Sequence, residues 1–285
     1  MSNNLVNELQ EFAAEIRLET VKAMANLGFG HLGGSLSIVD ALAVLYGYEM
    51  RYDPENPQWK DRDLCIVSKG HAGPALYATL ALKGFFPPDW LKTLNKPGTR
   101  LPSHCDRQLT PGVDMTTGSL GQGVSTAIGM TLGNKLANKD SYTYLFVGDG
   151  EANEGQVWEG AMFTGQQKLD HMIWFIDYNK KQLDGYMKDI VDIAPVADKF
   201  EAFNFHVQEI DGHDISAILE ALRKCKETSG KPHCIILDTI KGKGIPELEE
   251  MLLNHHVRLT EDFSRRAISY LQEHLNSIRG NERYV

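Results

Sequence analysis

The sequence predicts an α/β protein: a doubly wound, mostly parallel sheet with helices on both faces. Three observations predict it. Short β-rich runs alternate with helical patterns, the chain order of a parallel sheet. Two of those runs, "YTYLFV" (142–147) and "HMIWFI" (171–176), are apolar almost throughout, as strands covered on both faces are. The first leads into "GDGEANEG", which sets glycines and acids where an open parallel sheet binds ligands, beyond the carboxyl end of a strand.

Taken in order, residues 5–26 carry Leu5, Leu9, Phe12, Ile16 and Met24 at helical spacing, with Gly28 as a stop. A second helix is expected from about Ser37 to Tyr48. Strands follow at 64–68, 142–147, 171–176, 205–210 and 234–239, separated by helical patterns at 72–83, 122–138, 154–168 and 214–227. With neither a 20–50-residue repeat nor a Pro/Gly/Ser-rich linker, residues 1–260 read as one domain. Residues 261–285 read as a helical tail with Phe263, Ala267, Tyr270 and Leu271 on one side, capping the domain or a partner.

The chain has 285 residues, 42% hydrophobic and 24% charged, which is enough for a large core and excludes disorder as the main state. A net charge of −9 offers no general field to nucleic acid or anionic membrane, so any anionic ligand needs a local site. Cys65, Cys105, Cys225 and Cys234 form no CxxC pair, and "LCIVS" and "HCIIL" read as buried strands; these are reduced thiols of a cytoplasmic protein. The start "MSNNLVNELQ" lacks the basic and apolar regions of a secretion signal, and Asp40 interrupts the most apolar later stretch. Neither secretion nor a membrane span is expected.

Three glycine motifs differ in what they carry. "GFGHLG" (28–33) matches a dinucleotide fingerprint by letter but follows a helix instead of a strand, so it reads as a glycine loop holding His31. "GSLGQG" (118–123) opens a helical stretch whose free N–H groups suit an anion or polar ring, and equally suits close helix packing. In "VGDGEANEG" the strand ends at Val147 and delivers Asp149, while the next strand, "HMIWFIDYN", delivers Asp177 and Asn179. If the two strands are neighbours, Asp149 and Asn179 reach one hard cation, with a carbonyl just after them adding a third oxygen. Mg²⁺ takes few protein oxygens and keeps places for phosphate, which suggests a metal-clamped diphosphate. The same residues also read as turn formers. His31, His71 and His104 each sit in a glycine- or proline-bearing loop, unlike His171, His206, His213, His233 and His274, which read as ordinary surface or core residues.

At these residues the chain resembles the thiamine-diphosphate enzymes, specifically the amino-terminal part of transketolase. The segment from "GDGEANEG" to "DYNKKQLDG" is similar to that superfamily's diphosphate motif, and "GHLGGSLSIVDAL", "SKGHAGPALYATL", "TTGSLGQGVSTAIG" and "DTIKGKG" match in order across roughly residues 10–260. The resemblance implies thiamine diphosphate and Mg²⁺, or Ca²⁺ or Mn²⁺ in its place. Asp149 and Asn179 would bind the metal through side chains and Lys181 through its main-chain oxygen. Gly150 and His71 would touch the diphosphate, Gly118, Ser119 and Leu120 the aminopyrimidine, and Lys241 the phosphate side. His31 and His104 resemble histidines that meet the sugar donor. Ungapped counting places the family's late histidine at His255, with His256 beside it and "NHHVR" departing from the family's Trp-His-Gly. Tyr178 stands where many relatives have a second asparagine, and Glu151 where relatives are often small or apolar.

The resemblance also implies a partner. In transketolase the glutamate that hydrogen-bonds the pyrimidine belongs to the next domain, and no second doubly wound half is present in this sequence. We therefore expect one subunit of a split transketolase that transfers a glycolaldehyde unit from a ketose phosphate to an aldose. A C-terminal subunit would supply the pyrimidine-binding domain, with Glu154 at the junction and two copies of each chain in the smallest closed assembly. The alternatives are a deoxyxylulose-phosphate synthase-like or E1 dehydrogenase-like subunit, and a non-catalytic cofactor-binding partner.

Overall fold

The computed structural model describes residues 3–281; residues 1–2 and 282–285, the ends of the opening segment and of the tail, lie outside the described residues. The helices are α1 (Asn3–Leu27), α2 (Leu32–Leu36), α3 (Val39–Val44), α4 (Gly73–Leu82), α5 (Gln122–Leu136), α6 (Gly155–Gln166), α7 (Met187–Ile190), α8 (Val196–Ala202), α9 (Ile215–Glu227), α10 (Pro246–Glu250) and α11 (Glu261–Asn281). The strands are β1 (Phe29–Gly30), β2 (Leu64–Val67), β3 (Thr143–Gly148), β4 (Met172–Tyr178), β5 (His206–Asp211), β6 (His233–Asp238) and β7 (Val257–Arg258).

Five strands form one parallel sheet in the order β2-β3-β4-β6-β5. Side chains alternate across it with the period of two that a strand imposes. Tyr144, Phe146, Ile173 and Phe175 pack under α1, α3, α4, α9 and α11, while Leu145, Val147, Met172, Trp174 and Ile176 pack under α5, α6 and α8. Crossover handedness explains the division. The β3-to-β4 and β4-to-β5 steps run in one direction over the α6 and α8 face; the step back from β5 to β6 therefore runs over the opposite face, through α9. Asp214 starts α9 by accepting from the backbone N–H groups of Ser216 (2.8 Å) and Ala217 (3.2 Å), an N-cap that satisfies two otherwise unpaired donors.

The expected strands and long helices are present within a few residues, and the doubly wound sheet is as expected. Several short elements had no periodic signature: α2, α7, α8, α10, and the antiparallel pair β1–β7, in which Phe29 faces Arg258 and Gly30 faces Val257. The tail helix α11 lies along α1, burying Phe263, Ala267, Leu271 and Leu275 in the domain's own core. Tyr270, assigned to that stripe from the sequence, is instead 49% exposed, because the buried stripe runs 263, 267, 271, 275. All four cysteines are buried free thiols. Among the described residues no helix is long and apolar enough to cross a membrane.

Candidate functional site

β3 and β4 are hydrogen-bonded neighbours with Gly148 opposite Asp177, so the residues that follow each strand leave the sheet side by side. They line one cavity. Asp149, Gly150, Asn179 and Lys181 meet there with His71, Leu120, Lys241 and His255, together with Gly34, Lys69, Gly148, Glu151, Asp177 and Gln182. The convergence that the motif spacing required is therefore present.

Asp149 is buried and accepts from the backbone N–H groups of Gly150 (2.7 Å) and Lys180 (2.5 Å). Burial first, and then the neighbouring Asp177 carboxylate, push its pKa up to about 7. A carboxylate held this way lacks a countercharge. The Lys241 ammonium supplies part of one; burial lowers it to about 8 while Asp149 works in the opposite direction. Lys241 donates to the main-chain oxygen of Lys181 at 2.8 Å.

Asp177 is an anchor, which its reading as a turn former did not foresee. It is fully buried and accepts from Lys69 Nζ (2.6 Å), Ser37 Oγ (2.8 Å), Thr239 Oγ1 (2.5 Å) and Asn179 Nδ2 (2.8 Å). Burial alone would raise its pKa; the Lys69 charge and the hydrogen bonds from Lys69, Thr239 and Ser37 together outweigh this and hold it below the usual range. Because Asp177 holds the amide nitrogen of Asn179, the other end, Oδ1, is left as the acceptor, engaged by Lys181 N at 3.2 Å.

Glu151 is also structural. Its buried carboxylate accepts from Ser68 Oγ (2.5 Å), Gly121 N (2.8 Å) and Gly148 N (3.1 Å), tying the ends of β2 and β3 to the residue before α5. Two glycines allow the loops to meet. A Cβ on Gly70 would lie 2.6 Å from the Thr117 carbonyl, and one on Gly33 would lie 2.3 Å from the Asn254 oxygen. Gly33 thus gives the 28–33 loop its purpose, seating it against the segment that carries His255.

The histidines gather around His31, whose ring centroid is 5.5 Å from His71, 5.4 Å from His104, 5.2 Å from His255 and 4.9 Å from His256. The β1–β7 pair brings "NHHVR" there, so both late histidines adjoin His31. Of the two late histidines His255 lines the cavity, 4.6 Å from His71, and His256 does not. Burial is the main cause that lowers His31 to about 4 and His255 to about 3, and it lowers His71 and His104 as well. These rings are neutral near pH 7, suited to hydrogen bonding with hydroxyls more than to taking up protons.

Gly118 adjoins His104, where a Cβ would lie 3.2 Å from that ring. Ser119 and Glu154 are exposed and do not line the cavity; Glu154 sits at the start of α6. Sequence reading missed Lys69. It lies within "SKGHAG" beside the histidine that was singled out, and a buried lysine has no sequence signature until its partner, 108 positions away, is known.

The donors present fit a metal diphosphate. Asp149 and the acceptor ends of Asn179 and Lys181 are hard oxygens, the kind Mg²⁺ prefers. Gln182 Nε2 and His255 Nδ1 are buried at the same cavity with no hydrogen-bond partner among the described residues, as donors awaiting an acceptor would be.

The family described as "Transketolase, thiamine diphosphate binding domain" matches residues 9–271. The chain is 52% identical over 93% of its length to "6-deoxy-6-sulfo-D-fructose transketolase subunit SqwG" of Clostridium sp. (strain MSTE9), covering 97% of that protein. It is 39% identical over 88% of its length to an apulose-4-phosphate transketolase subunit of Actinobacillus succinogenes, covering 91% of it. Against the solved transketolase from Leishmania mexicana the TM-score is 0.86 at 28% identity, over 97% of this chain and 46% of that one. The chain thus spans about half the length of that one-chain transketolase and nearly the whole of the two relatives named as subunits. It belongs to the transketolase thiamine diphosphate-binding family, as one half of a split transketolase.

Proposed function

We propose that this chain provides the metal and diphosphate half of the active site, with Mg²⁺ held by Asp149, Asn179 and the Lys181 main-chain oxygen; Ca²⁺ and Mn²⁺ suit the same oxygens. The observation that carries the reading is the meeting of those three groups and Lys241 in one cavity at adjacent strand ends. His71, Gly150 and Lys241 would hold the diphosphate, and Gly118, Ser119 and Leu120 would border the aminopyrimidine. When bound, thiamine diphosphate supplies the electron sink for moving a two-carbon unit between sugars. The chain's own residues bind and orient: neutral His31, His104 and His255 offer hydrogen bonds to the hydroxyls of a ketose donor, and Asp177 fixes Asn179.

The partner would be a C-terminal transketolase subunit carrying the pyrimidine-binding domain, meeting this chain beside Glu154 in a heterotetramer of two copies of each. Four buried reduced thiols suit the cytoplasm. The donor is read as a ketose phosphate and the acceptor as an aldose. A 6-sulfo ketose donor is a second reading, favoured by the 52% identity to the sulfofructose transketolase subunit. Assay of this chain with its partner subunit, thiamine diphosphate and Mg²⁺, offering a ketose phosphate and a 6-sulfo ketose in turn, tests both. Ketol transfer should require both chains, and robust transfer by this chain alone would refute the division of labour.

A further inference from the structure

At the opposite end of the sheet from the cavity, two histidines and a cysteine converge on the α9 face. His206 and His233 open β5 and β6 as register partners, and Cys225 lies in the last turn of α9 above them. The two Nδ1 atoms stand 3.3 Å apart, and donor atoms of all three residues lie within 4.8 Å of one another. We propose that His206, His233 and Cys225 form a zinc site, separate from the catalytic cavity.

The spacing suits the ion. Two nitrogens bound at about 2.0–2.1 Å at the corners of a tetrahedron stand about 3.3 Å apart, the separation these two have. Two imidazoles and a thiolate are donors that zinc accepts readily, and alkaline-earth ions prefer oxygen. Burial lowers both imidazoles, His233 to about 4, so each ring is neutral with one lone pair; in the metal-free protein one Nδ1 donates to the other, and binding zinc takes both as the Nε2–H tautomer. Burial pushes the Cys225 thiol up to about 12, so it is protonated in the metal-free protein, and zinc binding forms the Zn–S bond as that one proton leaves to solvent. Gln208 Nε2 donates to Cys225 Sγ at 3.4 Å and to the Ala221 carbonyl at 3.0 Å, a second layer that steadies charge on sulfur. His206 is half-buried, which lets water take the fourth position. The ion would pin the end of α9 to the starts of β5 and β6.

The test is titration of the full-length, metal-stripped, reduced chain with Zn²⁺ against a chelator, and with Co²⁺ followed by absorption. The expected result is one equivalent with a Kd at or below about 1 µM, a sulfur-to-cobalt charge-transfer band and a rise in Tm. Cys225→Ser should abolish the band and His206→Gln should weaken binding about 100-fold, while Asp149→Ala should keep both. Weaker wild-type binding, a cobalt spectrum without the sulfur band, or wild-type affinity in Cys225→Ser and His206→Gln would overturn the site. Because Asp149→Ala removes the proposed magnesium ligand and leaves this cluster intact, failure here is distinguishable from failure of the diphosphate reading.

Discussion

The ammonium of Lys241 donates a 2.8 Å hydrogen bond to the main-chain oxygen of Lys181, the oxygen proposed for the metal. A buried cation therefore already stands against that oxygen, and its charge partly balances Asp149. On the proposed reading, a bound metal diphosphate would bring negative charge to the same ammonium, and Lys241 would exchange the Lys181 oxygen for the phosphate side.

Lys241→Met should therefore weaken thiamine diphosphate binding about 10- to 100-fold at saturating Mg²⁺, the effect of one lost charge-assisted hydrogen bond. Calorimetric titration checks it. Unchanged affinity would remove Lys241 from the phosphate side.

Glu151 should matter to folding more than to cofactor charge. Replacing it with Ala strands the backbone N–H groups of Gly121 and Gly148 in the interior and should cost about 2–4 kcal/mol in urea unfolding. Glu151→Gln should also destabilise, since an amide N–H₂ would face some of those donors. Wild-type stability for both variants would contradict the strut assignment.

A second buried network predicts a pH dependence. Asp40 pairs with Arg17 and accepts from His213 Nδ1 at 2.8 Å, while His213 Nε2 accepts from Ile240 N at 2.8 Å, beside Lys241. Burial would raise Asp40, but Arg17 and His213 together carry it below its ordinary value of 3.8. A lowered folded value means stability that is fully present above pH ~4 and is lost as pH falls through the folded value. Asp40→Asn should flatten the acid limb of the stability curve, and Asp40→Ala should cost about 3–5 kcal/mol near pH 7 by leaving Arg17 buried without a partner. An acid limb identical to wild type would contradict this.

His31 should separate sugar binding from cofactor binding. With the partner subunit present, His31→Ala should lower kcat/KM about 10- to 100-fold, since one or two hydrogen bonds to a hydroxyl are lost, and leave the thiamine diphosphate Kd unchanged. Equal losses in both would place His31 against the cofactor.

The legibility of the site followed local chemistry. Strands 142–147 and 171–176 were readable because apolar β-rich runs ending in Gly, Asp and Asn allow little else, and with them came Asp149 and Asn179. The strand order was not readable: β5 lies outside β6, and nothing in either run says so. The partners of Lys69, Glu151 and His213 were hidden for the same reason, since each pairs across distant loops. The two-residue pair β1–β7 has no periodicity to detect, yet it decides that both His255 and His256 stand against His31. Short helices such as α8 are held by burial of Val196 and Phe200, a tertiary effect that propensity does not reveal.

Titration of thiamine diphosphate into the chain with its partner subunit, with and without Mg²⁺, for wild type and Asp149→Ala, reads out directly whether a metal held at residue 149 clamps the diphosphate. Binding should be tight, need the metal and weaken at least about 100-fold in the variant, because a hard-cation site loses its one carboxylate ligand. Affinity that ignores both Mg²⁺ and residue 149 would contradict the metal clamp.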